Sequence, residues 1–313
     1  MKQITDTILM IKPTHFRTNE QTAVNNFFQV PMTELDETRR ELQEKAVTEF
    51  NGFVEKLRNA GVKVIVHECS DGLDTPDAHF PNNWISFHEN GVVVLYPMFA
   101  ENRRLERRES VLEKVEAEGY LVEHVIDYSS AEEEGFFLEG TGSLILDRVN
   151  KIAYCALSER ADEELFIEFC EDFDYSPVVF TAYQTVEGKR LPIYHTNVMM
   201  CVGESFAVIC LDSIDNKAER KNVVRHLRKT AKEIIEISEN QVHKFAGNML
   251  QVKAKGEKNL MVMSKVAFNS LKQDQIDRIE KYCEILYSDL EVIETCGGGS
   301  ARCMMAEVFL QKA

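Results

Sequence analysis

Cys303, His195 and Glu139 are the side chains of this sequence with the chemistry to attack an electrophilic carbon. A thiolate is a nucleophile, an imidazole moves protons, and a carboxylate can orient the imidazole. Cys303 ends the run Cys296-Gly297-Gly298-Gly299-Ser300-Ala301-Arg302-Cys303, whose three consecutive glycines are costly in backbone entropy. Such a loop suits close approach to a ligand, although a simple turn is the alternative. Neither P-loop nor GxGxxG spacing is met, which disfavours phosphate binding.

His195 and Glu139 are weak signals when each is taken alone. His195 precedes the apolar run Val198-Met199-Met200, and a lone histidine at a strand start is usually structural. Glu139 lies between an apolar run and Gly140-Thr141-Gly142, where a surface turn would also place a carboxylate. The elements that position these side chains therefore decide whether they can act together.

The composition is that of an acidic globular protein. The chain has 313 residues, a formal net charge of -16 and 44% hydrophobic residues. Nucleic acid and anionic membranes are disfavoured as partners because both attract clustered cations. No apolar run approaches the ~18 residues of a membrane span, and no signal peptide is recognisable. The eight cysteines lack CxxC pairs, which predicts reduced thiols and a cytoplasmic protein. The histidines lack HxH or HxxxH spacing, so we expect no metal and no other cofactor.

One pattern of elements recurs along the chain. A polar residue opens an apolar strand, a turn returns a second strand, an amphipathic helix follows, and another strand leads onward. In the first clear instance Trp84-Ile85-Ser86-Phe87 and Val92 to Tyr96 flank a turn at Asn90-Gly91. The openings lie about 50 to 60 residues apart, a spacing typical of repeated supersecondary units. They fall at Asn83, near Thr141, at His195, at Gly247-Asn248 and at Gly299–Cys303.

Helical stretches separate the hairpins. The clearest covers residues 37–60, with Leu42, Ala46, Phe50, Phe53 and Leu57 at helical spacing and a stop at Gly61. The others are predicted over 103–118, 160–172, 218–237 and 271–283.

Five hairpins and five helices predict a ring. After Cys303 the residues from Met304 to Leu310 are strand-like, but the last hairpin lacks a second strand, which the apolar stretch Thr7 to Lys12 can supply. Pairing the two ends closes the ring and leaves no long free sheet edge. With no linker evident, residues 1–313 are predicted to form one α/β domain, and an ordinary α/β sandwich is the alternative. In a ring the strand starts converge, which would bring together Asn83, Glu139, His195, Asn197, Asn248 and Cys303.

These residues resemble the pentein, or arginine deiminase/amidinotransferase, superfamily over nearly the whole chain. Leu138-Glu139-Gly140-Thr141-Gly142 is similar to the LEGGD segment, His195-Thr196-Asn197 to HxD, and the loop ending at Cys303 to the nucleophile loop. The resemblance implies a five-bladed β/α-propeller of pseudo-fivefold ββαβ repeats. It also implies Cys303 as nucleophile, His195 as general acid/base and Glu139 as the residue that orients it.

Two further segments carry expected substrate contacts. Residues 77–84, from Asp77 to Trp84, resemble the segment with an Arg-Asp pair in the deiminases, and Leu157-Ser158-Glu159-Arg160 resembles one that holds the substrate carboxylate in dimethylarginine hydrolases. Asp77 and Arg160 are therefore candidate binding residues. Arg103 and Arg104 are further candidates for the carboxylate, although a solvated helix face among glutamates is the simpler interpretation of that arginine-rich stretch.

The departures from the family pattern bear on the substrate. Deiminases hold the guanidinium with two aspartates, and this chain has Asn83 and Asn197 at those positions and Gly142 at the last position of the LEGGD-like segment. A guanidinium desolvated without carboxylates loses charge-assisted bonding. A ureido group is neutral, and asparagine offers it both a donor and an acceptor. The pattern is similar to that of citrulline-utilisation hydrolases, although one of the two asparagines could be structural.

The predicted function is thus a cysteine-dependent hydrolase that converts citrulline to ornithine, ammonia and carbon dioxide through a covalent thiol adduct. Backbone N–H groups of Gly298 and Gly299 could stabilise the oxyanion. The alternatives are an arginine deiminase, a dimethylarginine hydrolase or an amidinotransferase, and, from another class, a non-catalytic binding protein on the same ring. The expected partner is a small amino-acid substrate, and a homo-oligomer is left open.

Overall fold

The strands of this protein form small sheets built to one plan. The computed structural model describes residues 1–31, 35, 38–69, 71–256 and 258–313. Within these residues five sheets have three strands each, and a separate hairpin has two. The sheets, in chain order of their middle strands, are β17-β1-β2 (Ala306–Glu307, Thr7–Ile11, Lys63–His67), β3-β4-β5 (Ile85–Phe87, Val92–Leu95, His124–Asp127), β6-β7-β8 (Leu144–Asp147, Ile152–Leu157, Ser176–Thr181), β11-β12-β13 (Met200–Val202, Phe206–Ile209, Glu233–Glu236) and β14-β15-β16 (Leu250–Lys253, Asn259–Ser264, Glu284–Ser288), and the hairpin is β9-β10 (Tyr183–Val186, Lys189–Pro192).

Every three-stranded sheet has the same pairing. Its first two strands are antiparallel and its third strand lies parallel to the middle one. A parallel partner requires a crossover connection, which a helix usually supplies. The helices are α1 (Glu20–Ala23), α2 (Arg39–Asn59), α3 (Glu101–Arg104), α4 (Glu109–Ala117), α5 (Gly140–Ser143), α6 (Glu163–Asp172), α7 (Lys217–Lys229), α8 (Glu239–Val242), α9 (Lys265–Ser270) and α10 (Gln273–Glu280).

Helix α2 shows why these sequences form these elements. It starts with a capping box, in which the Thr38 side chain accepts from Glu41 N–H and the Glu41 side chain accepts from Thr38 N–H. The predicted apolar face is confirmed, because Leu42, Ala46, Phe50, Phe53 and Leu57 are all buried. This face packs the helix on β2 and β16. Residue 37, the predicted first residue of the helix, lies outside the described residues.

Three helix predictions were too long. The stretch 103–118 is split between α3 and α4 because Arg108 has an extended backbone and caps α4. The stretch 218–237 ends as a helix at Lys229, and Ala231, at a φ of 56°, turns the chain into β13. The stretch 271–283 is α10 alone, since the extended Leu271 ends the preceding helix α9.

The two ends of the chain share one sheet, as predicted. Ile8 pairs with Glu307 and Leu9 with Ala306 in an antiparallel ladder. The predicted strand over 304–310 was too long, because the main chain around Cys303 forms turns in which Cys303 N–H donates to the carbonyl of Ser300 at 3.0 Å. The structure is therefore a mixed α/β fold of small sheets. In the described part of the chain, no helix is both long and apolar enough to cross a lipid bilayer.

Candidate active site

The first strand of each three-stranded sheet is preceded by a turn, and these turns touch one another. The contacts follow the order of the sheets. They are Thr141 Oγ1 to Asn82 O at 3.3 Å, Thr196 Oγ1 to Ser143 O at 2.6 Å, Asn248 Nδ2 to Asn197 O at 3.1 Å and Arg302 N to Asn248 Oδ1 at 3.0 Å. The last turn returns to the first at Gly299, where an added Cβ would lie 2.8 Å from the ring of Phe80. The turns thus enclose a common space.

That space is a narrow pocket with a cavity volume of about 10 Å³. Most of the side chains that the sequence singles out line it, although they come from distant parts of the chain. The lining residues are Thr22, Asn26, Asp77, Phe80, Asn83, Arg103, Arg160, Tyr194, His195, Gly297, Gly298, Gly299 and Cys303. Within the described residues, no cluster of three His, Cys, Asp or Glu side chains is arranged to hold a metal ion.

Glu139 and His195 form a buried pair at this pocket. His195 Nε2 lies 2.7 Å from Glu139 Oε2, and both side chains are inaccessible to solvent. Burial would raise the pKa of Glu139, but Arg160, the His195 hydrogen bond and Arg103 lower it to about 2. Burial lowers the pKa of His195 to about 4, against the opposing effect of Glu139. The carboxylate is therefore ionised and the imidazole neutral near pH 7.

Two neutral amides contact Cys303. Its Sγ accepts hydrogen bonds from Asn248 Nδ2 at 3.2 Å and from Asn197 Nδ2 at 3.4 Å, and the thiol lies 3.9 Å from the acceptor Asn197 Oδ1. The sulfur therefore meets both donors and an acceptor from these amides. Asn248 is held in turn by the backbone N–H of Arg302. The sequence placed Asn248 at the right strand start but did not identify it as a partner of the thiol.

The Gly-rich loop (residues 296–303, the nucleophile loop) is fixed from several sides. The side chains of Asn26 and Tyr194 both donate to the carbonyl of Gly298, and Gln29 donates to that of Gly297. Gly298 has a φ of 65°, which favours glycine. Its N–H donates to the carbonyl of Glu294 at 3.0 Å. The expectation that this N–H stabilises an oxyanion was therefore wrong, because the group already closes the preceding helical turn.

Gly142 is required by close packing at the pocket. A Cβ there would lie 2.4 Å from Asn83 Nδ2 and 2.8 Å from His195 Nδ1. Separations of this kind do not occur without displacement of one partner, and both neighbours are buried. The absence of an acidic side chain at position 142 therefore leaves no empty space in the pocket. The space is filled by the amide of Asn83 and the ring of His195.

The two arginine candidates Arg103 and Arg104 differ in burial and in their hydrogen-bond partners. Arg103 is buried, and its guanidinium donates twice to Glu106 and once to Asn83 Oδ1, at 2.8 Å. The interpretation of this stretch as a solvated face is wrong at Arg103. Arg104 donates to Met98 O, is absent from the pocket lining and is partly exposed.

Arg160 and Asp77 line the pocket with part of their polar surface uncommitted. Arg160 Nε donates to Asn25 Oδ1 at 2.9 Å, while Nη1 is 3.6 Å from Glu139. Asp77 Oδ2 accepts from Asn19 and Thr22, but the buried Oδ1 has no hydrogen-bond partner among the described residues. Burial raises the pKa of Asp77 against the opposing charge of Arg103.

Sequence reasoning missed an N-terminal segment that covers the pocket (residues 18–30, the strap). Its side chains Thr22, Asn25, Asn26 and Gln29 hold Asp77, Arg160 and the nucleophile loop. Its backbone joins the same loop region through Val30 N–H, which donates to Thr295 O at 2.8 Å. The only signal available in the sequence is a run of polar residues without helical or strand periodicity.

Comparison with protein families gives one match, which spans nearly all of the chain. The model described as N,N dimethylarginine dimethylhydrolase, eukaryotic, matches residues 12–310. No curated protein sequence matches the chain significantly.

Solved structures with the same fold are distant in sequence. ArgZ, an arginine dihydrolase from the ornithine-ammonia cycle in cyanobacteria, aligns with a TM-score of 0.72 and 17% identity over 98% of this chain and 41% of its own. The chain thus spans about two fifths of full-length ArgZ. The N-terminal domain of ArgZ, covalently bonded to a reaction intermediate, aligns at 0.70 and 16% identity over 97% of this chain and 98% of its own. A dimethylarginine dimethylaminohydrolase adduct with S-methyl-L-thiocitrulline aligns at 0.64 and 14% identity, over 97% and 99%.

Proposed function

This chain belongs to the N,N-dimethylarginine dimethylhydrolase family of the pentein superfamily, and we propose that its substrate is a ureido amino acid, citrulline in the simplest case. Members of this family are hydrolases that act on C–N bonds of guanidino compounds. The proposed reaction converts citrulline and water to ornithine, ammonia and carbon dioxide.

The observation that carries the proposal is that the side chains bonded to the sulfur of Cys303 are neutral amides. Asn197 and Asn248 contact the sulfur, and Asn83 fills the space beside Gly142. Glu139 is already bonded to His195 and to the N–H of Phe99. The amides can both donate to a ureido oxygen and accept from a ureido N–H, whereas they offer a guanidinium no charge-assisted bond.

Catalysis starts from a neutral His195. The thiol proton of Cys303 passes to His195 as the sulfur attacks the ureido carbon, giving a tetrahedral intermediate. The imidazolium, oriented by Glu139, returns the proton to the departing alkyl nitrogen, and the C–N bond breaks. Ornithine leaves, and a carbamoyl thioester remains on Cys303. Water, deprotonated by His195, releases carbamate, which decays to ammonia and carbon dioxide. A covalent reaction intermediate of one structural relative and an adduct of another with S-methyl-L-thiocitrulline support such a step.

The amino-acid end of the substrate has two charged partners in the pocket. The unpaired Asp77 Oδ1 is a ready acceptor for the α-ammonium group. Arg160 supplies a positive charge in the same pocket. Its Nε is bonded to Asn25 at 2.9 Å, whereas its Nη1 lies 3.6 Å from Glu139. We assign Arg160 to the α-carboxylate. Arg103 is saturated by Glu106 and acts by holding Asn83, and Arg104 is given no role.

A guanidino substrate is the second candidate. Asp77 is a buried carboxylate with a free oxygen, and ArgZ is an arginine dihydrolase. On this alternative the chain would also accept arginine and hydrolyse it through a ureido intermediate.

The same contacts support two proposals about the whole chain. The turns touch in cyclic order, and the chain ends share a sheet, which supports a five-bladed ring formed by residues 1–313 as one domain. All eight cysteines are buried and the sequence holds no CxxC pair, which supports a reducing, cytoplasmic environment.

Incubation of the purified protein with L-citrulline, and separately with L-arginine, tests the proposal. Ornithine, citrulline and ammonia are measured, with Cys303→Ala as control. Ornithine from citrulline that depends on Cys303, with no product from arginine, is the expected result. Citrulline released from arginine would show that the neutral amides do not select the substrate. Ornithine from both substrates would favour the dihydrolase alternative.

A further inference from the structure

Glu294 is a buried carboxyl group that the proposed chemistry does not use. Its side chain is 5% exposed and lies in the helical turn Ile293–Gly297, directly before the glycines of the nucleophile loop. Among the described residues it forms no ion pair. Its close partner is the hydroxyl of Ser300, which donates to Glu294 Oε1 at 2.5 Å. A carboxyl group without a cation is costly to bury, so this contact calls for an explanation.

Ser300 links this carboxyl group to the nucleophile. The Ser300 carbonyl accepts the N–H of Cys303 at 3.0 Å and the N–H of Met304 at 3.4 Å, so Ser300 begins the turn that presents the thiol. Its side chain is fully buried and held by Glu294. The carbonyl of Glu294 also accepts Gly298 N–H at 3.0 Å. One residue therefore holds the loop on both sides of Gly299.

We propose that Glu294 is a positioning residue which, when ionised, holds Ser300 and thereby fixes the turn that carries Cys303. A hydroxyl donates more strongly to a carboxylate than to a protonated carboxyl group, because the former bond is charge-assisted. Protonation of Glu294 therefore weakens its hydrogen bond with Ser300, and it removes no contact with the substrate. The inference rests on the proposed function only in that Cys303 is the reacting group.

The surroundings of Glu294 place this change near neutral pH. Burial raises its pKa to about 7, the Ser264 and Ser300 hydroxyls oppose the shift, and Glu49 and Asp289 add to it. Glu49, from α2, accepts the N–H groups of Val292 and Ile293. Other charged or titratable groups on this side include Glu187, Glu291, His243 and Lys244 from the end of α8, and Lys265, which pairs with Asp289.

The test compares wild type with Glu294→Gln and Ser300→Ala from pH 5.5 to 8.5. Two rates are measured: kcat/KM for citrulline, and alkylation of Cys303 by iodoacetamide, followed by mass spectrometry of its peptide. The ratio of wild-type to variant rate removes the titration of the thiol, which all forms share. We expect this ratio to be near one at pH 5.5 and to rise to about tenfold at pH 8.5, with its midpoint near 7. The double variant should lose no more than either single variant.

The matched control is Glu291→Gln, which removes a carboxylate three residues before Glu294, at an exposed position. Its ratio should stay flat across the pH range. A flat ratio for Glu294→Gln, with additive losses in the double variant, would show a merely structural role and overturn the inference. The alkylation arm does not depend on the substrate. A pH-dependent alkylation ratio without citrulline turnover would therefore support the role of Glu294 and reject the proposed function.

Discussion

At the scale of single residues, the three asparagines around Cys303 do different work. Asn248 and Asn197 donate to the sulfur, whereas Asn83 accepts from Arg103 and faces the space between Gly142 and His195. A carboxylate at position 197 would lie against the thiolate and repel it. Position 83 is therefore the place where charge can be changed with least harm to the nucleophile.

Asn83→Asp should move the substrate preference towards arginine. The new carboxylate would retain Arg103 as its neighbour and would offer a guanidinium a charge-assisted partner in addition to Asp77. We expect kcat/KM for citrulline to fall about 100-fold, since an amide that can donate to the ureido oxygen is replaced by a carboxylate that can only accept. Measurable arginine turnover should appear. Steady-state assays with both substrates check this.

Asn102→Asp is the control for that experiment, because Asn102 bonds to Asn19 rather than to the pocket. It should leave the ratio of citrulline to arginine turnover as in the wild type. Undiminished citrulline turnover by Asn83→Asp would mean that Asn83 has no part in binding the ureido group.

Glu139→Gln should lower both the rate and the basicity of His195. The hydrogen bond to Glu139 and the charge of Glu139 oppose the burial of His195, so removing that charge lowers the pKa of the imidazole further. A weaker base takes the thiol proton less readily, and a loss of 10²–10⁴-fold in kcat is expected. The part of the acid limb of the kcat/KM profile that belongs to His195 should move to lower pH. An acid limb displaced to higher pH would contradict this assignment.

At the scale of elements, the strap prepares the binding residues. Asn25 accepts from Arg160 Nε at 2.9 Å and donates to the exposed Glu159 at 2.8 Å. Asn25→Ala would remove the acceptor of Arg160 Nε and leave the guanidinium held by Thr22 O at 2.8 Å and by Glu139. We expect KM for citrulline to rise about tenfold with little change in kcat, because we assign Arg160 to the carboxylate and not to the reacting carbon. Glu159→Gln, which preserves an acceptor for Asn25, should have a much smaller effect. A fall in kcat at constant KM would place Arg160 in the chemistry instead.

The elements also show which features a sequence can predict. Helical periodicity predicts the buried face of α2. The apolar stretch at Thr7 to Lys12, which has no neighbouring strand to form a hairpin, predicts the sheet shared by the chain ends. The strap has no such pattern, since its polar side chains are fixed by residues distant in the chain, as Thr22 is by Asp77 and Gln29 by Gly297. The arginine-rich stretch misled for a related reason. Arg103 and Glu106 look like surface charges, yet both are buried because each supplies the other's partner.

The sequence predicted which residue types form the candidate site, but not the hydrogen bonds between them. Cys303, His195 and Asn83 line one pocket, with Glu139 bonded to His195, because strand starts in successive units meet there. The N–H of Gly298 is not available to an oxyanion because it donates to Glu294 O in the preceding helical turn. Sequence patterns did not indicate that turn. Hydrogen bonds that close a turn are set by local backbone angles, and a run of glycines leaves those angles open.

At the scale of the whole molecule, buried titratable groups set the dependence of stability on pH. Burial lowers the pKa of His79 to about 3, that of His195 to about 4 and that of His88 well below its ordinary value. Below pH 6.5 the unfolded chain binds protons at these sites and the folded chain does not, so stability falls as the pH is lowered. Burial raises the pKa of Glu106 and Glu294 to about 7, which acts in the opposite direction between pH 4.5 and 7.

His79 is suited to testing the histidine contribution, because burial is the main cause of its lowered pKa and a backbone hydrogen bond to Pro76 only partly opposes it. It packs against Phe16 and Phe80, with ring centroids 5.1 and 3.9 Å away, so His79→Phe retains an aromatic ring in an apolar site. The free energy of unfolding should then depend less on pH between 4 and 6. The slope should fall by up to about 1.4 kcal/mol per pH unit, the contribution of one proton. Urea unfolding at several pH values measures it. An unchanged slope would mean that His79 is protonated within the folded protein, and that burial of its ring does not keep it neutral.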